Sequence, residues 1–409
     1  MDVPTIRKDF PTLAREVHDT RLVYLDSAAS SQTPRAVLDV MDEYYERYRS
    51  NVHRGVYRLA EEATDLFEGA RHKVAAFTNA PVEGTIFTKN STEAINLVAY
   101  SYVRRRLGEG DVLLTTHMEH HANIVPWLHA QQDLGFEIRY IPLTEDGRLD
   151  MDAVPALLDD GRVSFLAVSH VSNVLGTIND VKTLAAQARD ANPGCRVLVD
   201  GSQAVPHLAV DFRDLGVDFY AFTGHKMCGP TGVGVLLGRP EVLETMPPFL
   251  TGGEMILDVR LDGVTWNELP HKFEAGTMMI AEVGGLGAAC DYLTGIGMDA
   301  IREHEKQLTA KALDALAGLD DVTVHGPTDV EVRGGAVSFA VDGVHPHDIG
   351  AMLDQEGVCV RVGHHCAKPL MRVLGVNATA RASFYLYNDA DDLPPLVRGI
   401  ERARDFFAR

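Results

Sequence analysis

The sequence predicts an α/β fold: a large domain with a mostly parallel sheet between helices, followed by a smaller α+β domain. Three observations carry this reading. From about Tyr24 to Gly297, short apolar runs alternate with helical stretches, the pattern of strands joined by helical crossovers. Polar clusters fall at the ends of those runs, at Thr116–His121, Ser169–Asn173, Asp200–Gln203 and Thr223–Lys226. Ligands of open α/β sheets bind beyond the carboxyl ends of the strands. After Gly297 the rhythm changes, and helices and strands mix in shorter units. The expected organisation is an N-terminal segment over 1–23 packing with the small domain, a large domain over 24–297 and a small domain over 298–409.

In order along the chain, Asn90-Ser91-Thr92-Glu93 reads as an N-cap box that opens a helix running over Thr92–Leu107. Val112–Thr115, Val163–Val168 and Arg196–Val199 are apolar runs of strand length, and Val181–Asp190 is a helix between the last two. Asp218–Thr223 is a further strand, and Gly232–Leu237 returns as a strand. Beyond Gly297 come a helix over Asp299–Leu316, a strand at Ala336–Val341, a helix at Pro346–Glu356, strands at Val358–Val362 and Ala382–Tyr387, and a terminal helix over Leu393–Phe407.

The chain has 409 residues, 45% of them hydrophobic, enough for a large core. Its formal net charge of −20 disfavours nucleic acid and anionic membranes as partners. No secretion signal or bilayer-length apolar run stands out. Five scattered cysteines do not suggest a disulfide framework. A cytoplasmic protein with reduced thiols is expected.

Lys226 is the most informative residue. It follows the strand ending at Thr223, and it lies twenty-six positions after Asp200, which ends another strand. A Lys and an Asp at neighbouring strand ends are what pyridoxal phosphate requires. The amine forms a Schiff base with the aldehyde, and the carboxylate keeps the pyridine nitrogen protonated so that the ring accepts electrons. The helix start at Ser91-Thr92, together with Thr223 and His225, offers donors for a phosphate. The cluster His117, His120 and His121 lacks zinc-ligand spacing, so no metal site is expected. One of these rings is better read as stacking on the cofactor and shuttling protons. Gly229–Gly234 and Gly284–Gly287 lack the strand–loop–helix context of a dinucleotide site. Cys366, in Arg361-Val362-Gly363-His364-His365-Cys366, stands in what reads as an exposed turn beside cationic groups, a setting that suits a nucleophilic thiolate. Arg361 and Arg381 are candidates for a bidentate grip on a substrate carboxylate.

Several longer motifs resemble one family. They are Leu25-Asp26-Ser27-Ala28-Ala29-Ser30, Val52-His53-Arg54-Gly55, Glu119–Trp127, His170–Thr177, Asp200–Val205, Gly224-His225-Lys226, Lys272–Thr277 and Arg361–Cys366. In order and spacing they resemble the Suf-type (group II) cysteine desulfurases, of the class V aminotransferase family and fold type I of the pyridoxal-phosphate enzymes. The resemblance spans nearly the whole chain. It implies that Lys226 carries the Schiff base, Asp200 pairs with the pyridinium, Gln203 bonds the phenolic oxygen and His120 stacks on the ring. It implies that Thr92, Thr223 and His225 hold the phosphate, with Ser91 beside them where many relatives have Thr. Thr277 would reach the phosphate of the other subunit in a homodimer. Asn173 and Arg381 would hold the substrate carboxylate with Arg361 nearby, and Cys366 would accept the sulfur.

The implied reaction converts L-cysteine to L-alanine. The sulfur passes to Cys366 as a persulfide, and then to a small sulfur-acceptor protein for iron–sulfur cluster assembly. Gly252–Ile256 and His345-Pro346-His347-Asp348 resemble the subgroup whose acceptor contains zinc. His347, near the Cys366 loop, is the candidate residue for contact with it. The alternatives are a selenocysteine lyase, another class V enzyme without sulfur transfer, or a non-catalytic scaffold that keeps the cofactor. The nucleophile in its His-His-Cys context argues against the last two.

Overall fold

The computed structural model describes residues 1–407. Its centre is a seven-stranded sheet made of β1 (Thr85–Thr88), β2 (Val112–Thr116), β3 (Glu137–Ile141), β4 (Val163–Ser169), β5 (Arg196–Asp200), β6 (Phe219–Thr223) and β7 (Gly234–Gly238). The spatial order is β1-β7-β6-β5-β4-β2-β3. β7 runs antiparallel to both its neighbours, and the pairs β6–β5, β5–β4, β4–β2 and β2–β3 are parallel. Apart from β3, the strands are apolar on both faces because helices cover both. Alternate residues therefore enter different cores. Val197 and Val199 of β5, with Tyr220 and Phe222 of β6, join one core with Val283 and Leu286 of the helix Ile280–Ile296. Leu198, Phe219 and Ala221 join the other with Ile95 and Trp127.

The C-terminal part carries a second sheet in which β8 (Val322–His325), β9 (Ala336–Val341), β10 (Arg361–Gly363) and β11 (Thr379–Ser383) pair in the order β8-β9-β11-β10. The helices Met298–Ala317, Pro346–Gln355 and Leu393–Phe407 pack around it. The N-terminal segment is tied to this part. Val23–Tyr24 pairs in parallel with Val358–Cys359, and Arg7 donates to the carbonyl oxygens of Leu22 and Tyr387.

The structure corrects four local expectations. The run Val358–Val362 is two short strands, because Val358–Cys359 bonds Val23–Tyr24 while Arg361–Gly363 bonds Thr379–Ser383. The last strand is Thr379–Ser383, not Ala382–Tyr387: Tyr385 and Asn388 close a turn through Tyr385 N–H to Asn388 Oδ1 and Asn388 N–H to the Tyr385 carbonyl. The helix that starts at Ser91 loosens into a wider π turn over Ala99–Val103. Strand β3 carries charged Glu137 and Arg139 at the sheet edge, and that composition hid it.

Candidate active site

Asp200 ends β5 between Ser169 and Ala221 of the flanking strands. It is 6% exposed, and its Oδ1 accepts the Ser202 N–H at 3.0 Å. Lys226 closes the single turn Gly224–Lys226 that leaves β6. Burial draws its amine down to about 8; Asp200 opposes this, and Arg381 and Arg361 add to it. An amine so placed loses its proton readily and becomes a nucleophile. Gly201 lets the two strand ends approach. A Cβ there would lie 1.9 Å from the ring of Tyr220, whose hydroxyl bonds His170 Nδ1 at 2.9 Å.

Around this pair, Ser202 Oγ and Thr223 Oγ1 are buried with no hydrogen-bond partner. Beside the Lys and the Asp, these two hydroxyls are free to donate to acceptor atoms of a ligand. The helix Ser91–Val98 begins close by, because Gly234 of β7 has no side chain; a Cβ there would sit 2.5 Å from Asn90 Cα. Asn90 caps the helix by accepting the Glu93 N–H at 3.0 Å. Ser91 is half-buried and Thr92 exposed. His225 is half-buried, and burial, then Lys226, lowers it to about 4. The residues fit pyridoxal phosphate: an amine for its aldehyde, a carboxylate for its ring nitrogen, and hydroxyls for its phosphate. Gln203 donates from Nε2 to the Ala28 carbonyl at 2.7 Å, which fastens the site to the Leu25–Ser30 segment.

His120 faces the same group. Its Nδ1 accepts the Ala122 N–H at 3.1 Å, so a neutral ring carries its proton on Nε2. Burial first, then Lys226, lowers it to about 4. At neutral pH it is an uncharged plate, suited to stacking. Beneath it, Glu119 is fully buried and accepts four donors: Thr116 Oγ1 at 2.7 Å, Asn123 Nδ2 at 2.7 Å, and the N–H and Oγ of Ser169 at 2.9 and 2.5 Å. Burial pushes the Glu119 carboxyl up to about 7 against the pull of those donors. Sequence reading gave Glu119 no role. Its one signal was its position next to His120 at a strand end.

Cys366 arrives from the second sheet, after β10. The turn expected to be exposed is half-buried, and His365 is only 3% exposed. Loops of the large sheet cover it. His121 N–H donates to the Cys366 carbonyl at 2.7 Å, Lys368 N–H to His121 Nε2 at 3.1 Å, and Asn173 Nδ2 to the His365 carbonyl at 2.8 Å. His365 and Cys366 hold φ of 49° and 56°, in the left-handed region that non-glycine residues seldom adopt. These clamps hold the Cys366 backbone in that shape. The nearest Arg361 Nη lies 3.9 Å from Cys366 Sγ.

Arg361 and Arg381 are register partners across β10 and β11. Arg381 is 1% exposed; its Nη1 donates to the Asn173 carbonyl at 2.8 Å and its Nη2 to Asp26 Oδ1 at 3.1 Å, while its Nε has no partner. Asp26 belongs to this group although the sequence reading assigned it no role. Asn173 is committed at both ends, to His365 and to Arg381. Two predicted residues stand apart from the group. Thr277 is exposed in a separate cleft with Thr88, Lys89 and Phe249. His347 is exposed at the start of the helix Pro346–Gln355, which His345 caps, and that helix packs on β10. His53, Glu68 and His271 also gather metal-type donors within 4.8 Å, but both Glu68 oxygens are taken by Arg71, one of them shared with His53.

Residues 23–396 match the family model "Aminotransferase class-V". A protein of Streptomyces coelicolor named "Probable cysteine desulfurase" is 51% identical over 413 residues, covering 100% of this chain and 98% of its own. The "Cysteine desulfurase" of Haloferax volcanii is 47% identical over 422 residues, with 100% and 98% covered. Among solved structures, the apo cysteine desulfurase of Thermococcus onnurineus superposes with a TM-score of 0.93 at 40% identity, covering 98% of both chains. A cysteine desulfurase of Escherichia coli superposes with a TM-score of 0.92 at 38% identity, covering 100% of this chain and 99% of that one.

Proposed function

The chain belongs to the class V aminotransferase family, and we propose that it is a pyridoxal-phosphate-dependent cysteine desulfurase that moves sulfur from L-cysteine to Cys366, releasing L-alanine. The observation that carries this is the convergence of Lys226, Asp200, His120, Arg361 and Arg381 with Cys366, a thiol delivered from a different sheet. An aminotransferase needs the first five groups and has no use for the last.

Bound pyridoxal phosphate supplies an aldehyde that captures the substrate amine and a conjugated ring that takes up electrons. The chain's own residues do the rest. Lys226 would hold the aldehyde, and its amine, drawn down by burial, would be able to move the proton at the substrate Cα. Asp200 keeps the proton on the ring nitrogen. His120 would lie against the cofactor as a neutral ring, and its Nε2 can carry a proton. Ser202, Thr223, His225 and the helix start at Ser91-Thr92 hold the phosphate. Arg381, with Arg361 beside it, grips the α-carboxylate. The Cys366 thiolate attacks the substrate sulfur; an S–S bond forms, the Cβ–S bond breaks, and its electron pair stays on Cβ, which takes up a proton as the skeleton becomes alanine.

The same reading extends to partners. The enzyme acts in the cytoplasm as a homodimer, with Thr277 completing the partner's phosphate site, and hands its sulfur to a small acceptor for iron–sulfur cluster assembly. His347 is exposed at the start of the helix that packs on β10, the strand that leads to Cys366, and an imidazole suits zinc. A zinc-bearing acceptor that docks there can exchange one of its ligands for His347. Among the described residues no helix is long and apolar enough to cross a membrane.

The test is production of alanine and of Cys366 persulfide from free L-cysteine by the yellow holoenzyme, with borohydride fixing the cofactor to Lys226. Labelling at another lysine, or turnover without persulfide, would refute the assignment. His347→Ala should keep basal alanine production and lose stimulation by a zinc-bearing acceptor; full stimulation would remove His347 from the partner site.

A further inference from the structure

Arg381 is the cation best placed to receive an α-carboxylate, and a carboxylate of the chain already sits on it. Asp26 Oδ1 takes Nη2 at 3.1 Å, Nη1 is committed to the Asn173 carbonyl, and Nε is buried without a partner. A substrate carboxylate that takes two parallel N–H groups needs Nε together with Nη2. It must therefore share Nη2 with Asp26 or displace it.

The two partners are held differently. Arg381 is 1% exposed, whereas the Asp26 side chain is 24% exposed. The Asp26 backbone is fixed to β11: Ser383 N–H donates to the Leu25 carbonyl at 2.7 Å, and Ala28 N–H to Ser383 Oγ at 2.9 Å. Only the Asp26 side chain is free to yield. Its carboxyl stands above the usual range because burial outweighs the pull of Arg381, Arg361 and Lys226, so the ion pair does not fully offset its own desolvation.

We propose that Asp26 is a built-in rival for the α-carboxylate at Arg381, weakening the hold on both substrate and product so that alanine leaves. This rests on the desulfurase reading for the identity of the ligands. The sign of the effect separates it from a propping role. If Asp26 merely orients Arg381, removing its charge weakens carboxylate binding. If Asp26 competes, removing its charge strengthens it.

The experiment titrates the holoenzyme with L-alanine and with ethylamine, which is alanine without its carboxylate, following the cofactor absorbance. Wild type, Asp26→Asn and Asp26→Ser are compared; the last is a smaller replacement in case the amide misfolds. Removing one negative charge next to the ligand carboxylate should tighten alanine about tenfold in both variants. Ethylamine affinity should stay within about twofold, and the KM for L-cysteine should fall with that for alanine binding. Alanine affinity that is unchanged or weaker in both variants overturns the proposal. So does equal tightening of ethylamine, and so does the lack of any alanine response in all three proteins. Wild-type cysteine turnover is measured separately: its absence would overturn the desulfurase reading, while the alanine comparison would still decide the role of Asp26.

Discussion

Glu119→Gln is a near-isosteric change with a cost that can be worked out atom by atom. Oε1 accepts from Thr116 Oγ1 and Ser169 N–H, and Oε2 from Asn123 Nδ2 and Ser169 Oγ. An amide must point its NH2 at one of these pairs. The two hydroxyls can rotate to accept, but Ser169 N–H and Asn123 Nδ2 cannot. Asn123 cannot flip cheaply either, because its Oδ1 accepts Trp127 Nε1 at 3.2 Å. Each orientation leaves two buried donors facing each other, which costs about 2–4 kcal/mol at ~1–2 for each unsatisfied group. A chain of this length unfolds with an entropy of ~0.9 kcal/mol/K, so Tm should fall by about 2–5 °C. His120 follows Glu119 directly, so kcat/KM should fall about tenfold through its displacement. Adding Asn123→Asp supplies an acceptor for the new NH2 and keeps the Trp127 bond, so the double variant should regain about half the loss. Thermal unfolding at matched cofactor loading, with steady-state alanine production, provides the assay. A Tm for Glu119→Gln within 1 °C of wild type, or a double variant worse than the single, would refute the polarity argument.

Gly201→Ala drives a methyl group into the Tyr220 ring; overpacking should cost about 1–3 kcal/mol and bleach the cofactor band, and an unchanged Tm and spectrum would show that the ring moves freely. Cys366→Ala should keep the yellow cofactor, since Lys226, Asp200 and the hydroxyls are untouched, and lose at least about a hundredfold in cysteine turnover; full turnover would remove Cys366 from the chemistry. Burial lowers His170 to about 4 and His365 to about 3. Both folded values lie below the unfolded one, so their stability contribution is present above about 6.5 and drains away as pH falls towards the folded values. Near pH 5 the pair should give a slope of about 2–3 kcal/mol per pH unit; denaturant titrations at pH 5 and 6 on a variant with both replaced by Gln should show a flatter dependence, and an identical slope would contradict it.

By itself the sequence determined the strand ends of the large sheet and the chemical types placed there. Apolar runs of strand length stop at Asp200 and Thr223, and polar residues begin at once, because a buried strand must be apolar and the loop that leaves it must meet water or a ligand. The alternation of strands with helices fixed the α/β class for the same reason. Local chemistry also marked Lys226 as unusual, and the longer motifs brought in the relatives and with them the reaction. What tertiary structure alone decided are the relations between residues far apart in the chain. Asp26 and Arg381 are separated by most of the sequence, and nothing local to either predicts that Nη2 meets Oδ1. The Cys366 turn looks exposed in sequence because Gly, His and Pro are turn residues. It is half-buried because His121 and Asn173 arrive from other loops to take its carbonyls. Glu119 looks like an ordinary surface acid until four donors converge on it in the core. Backbone propensity and apolar periodicity are local and can be read one segment at a time. Burial and hydrogen-bond pairing depend on which segments the fold brings together, and the sheet order and the docking of the second sheet set that.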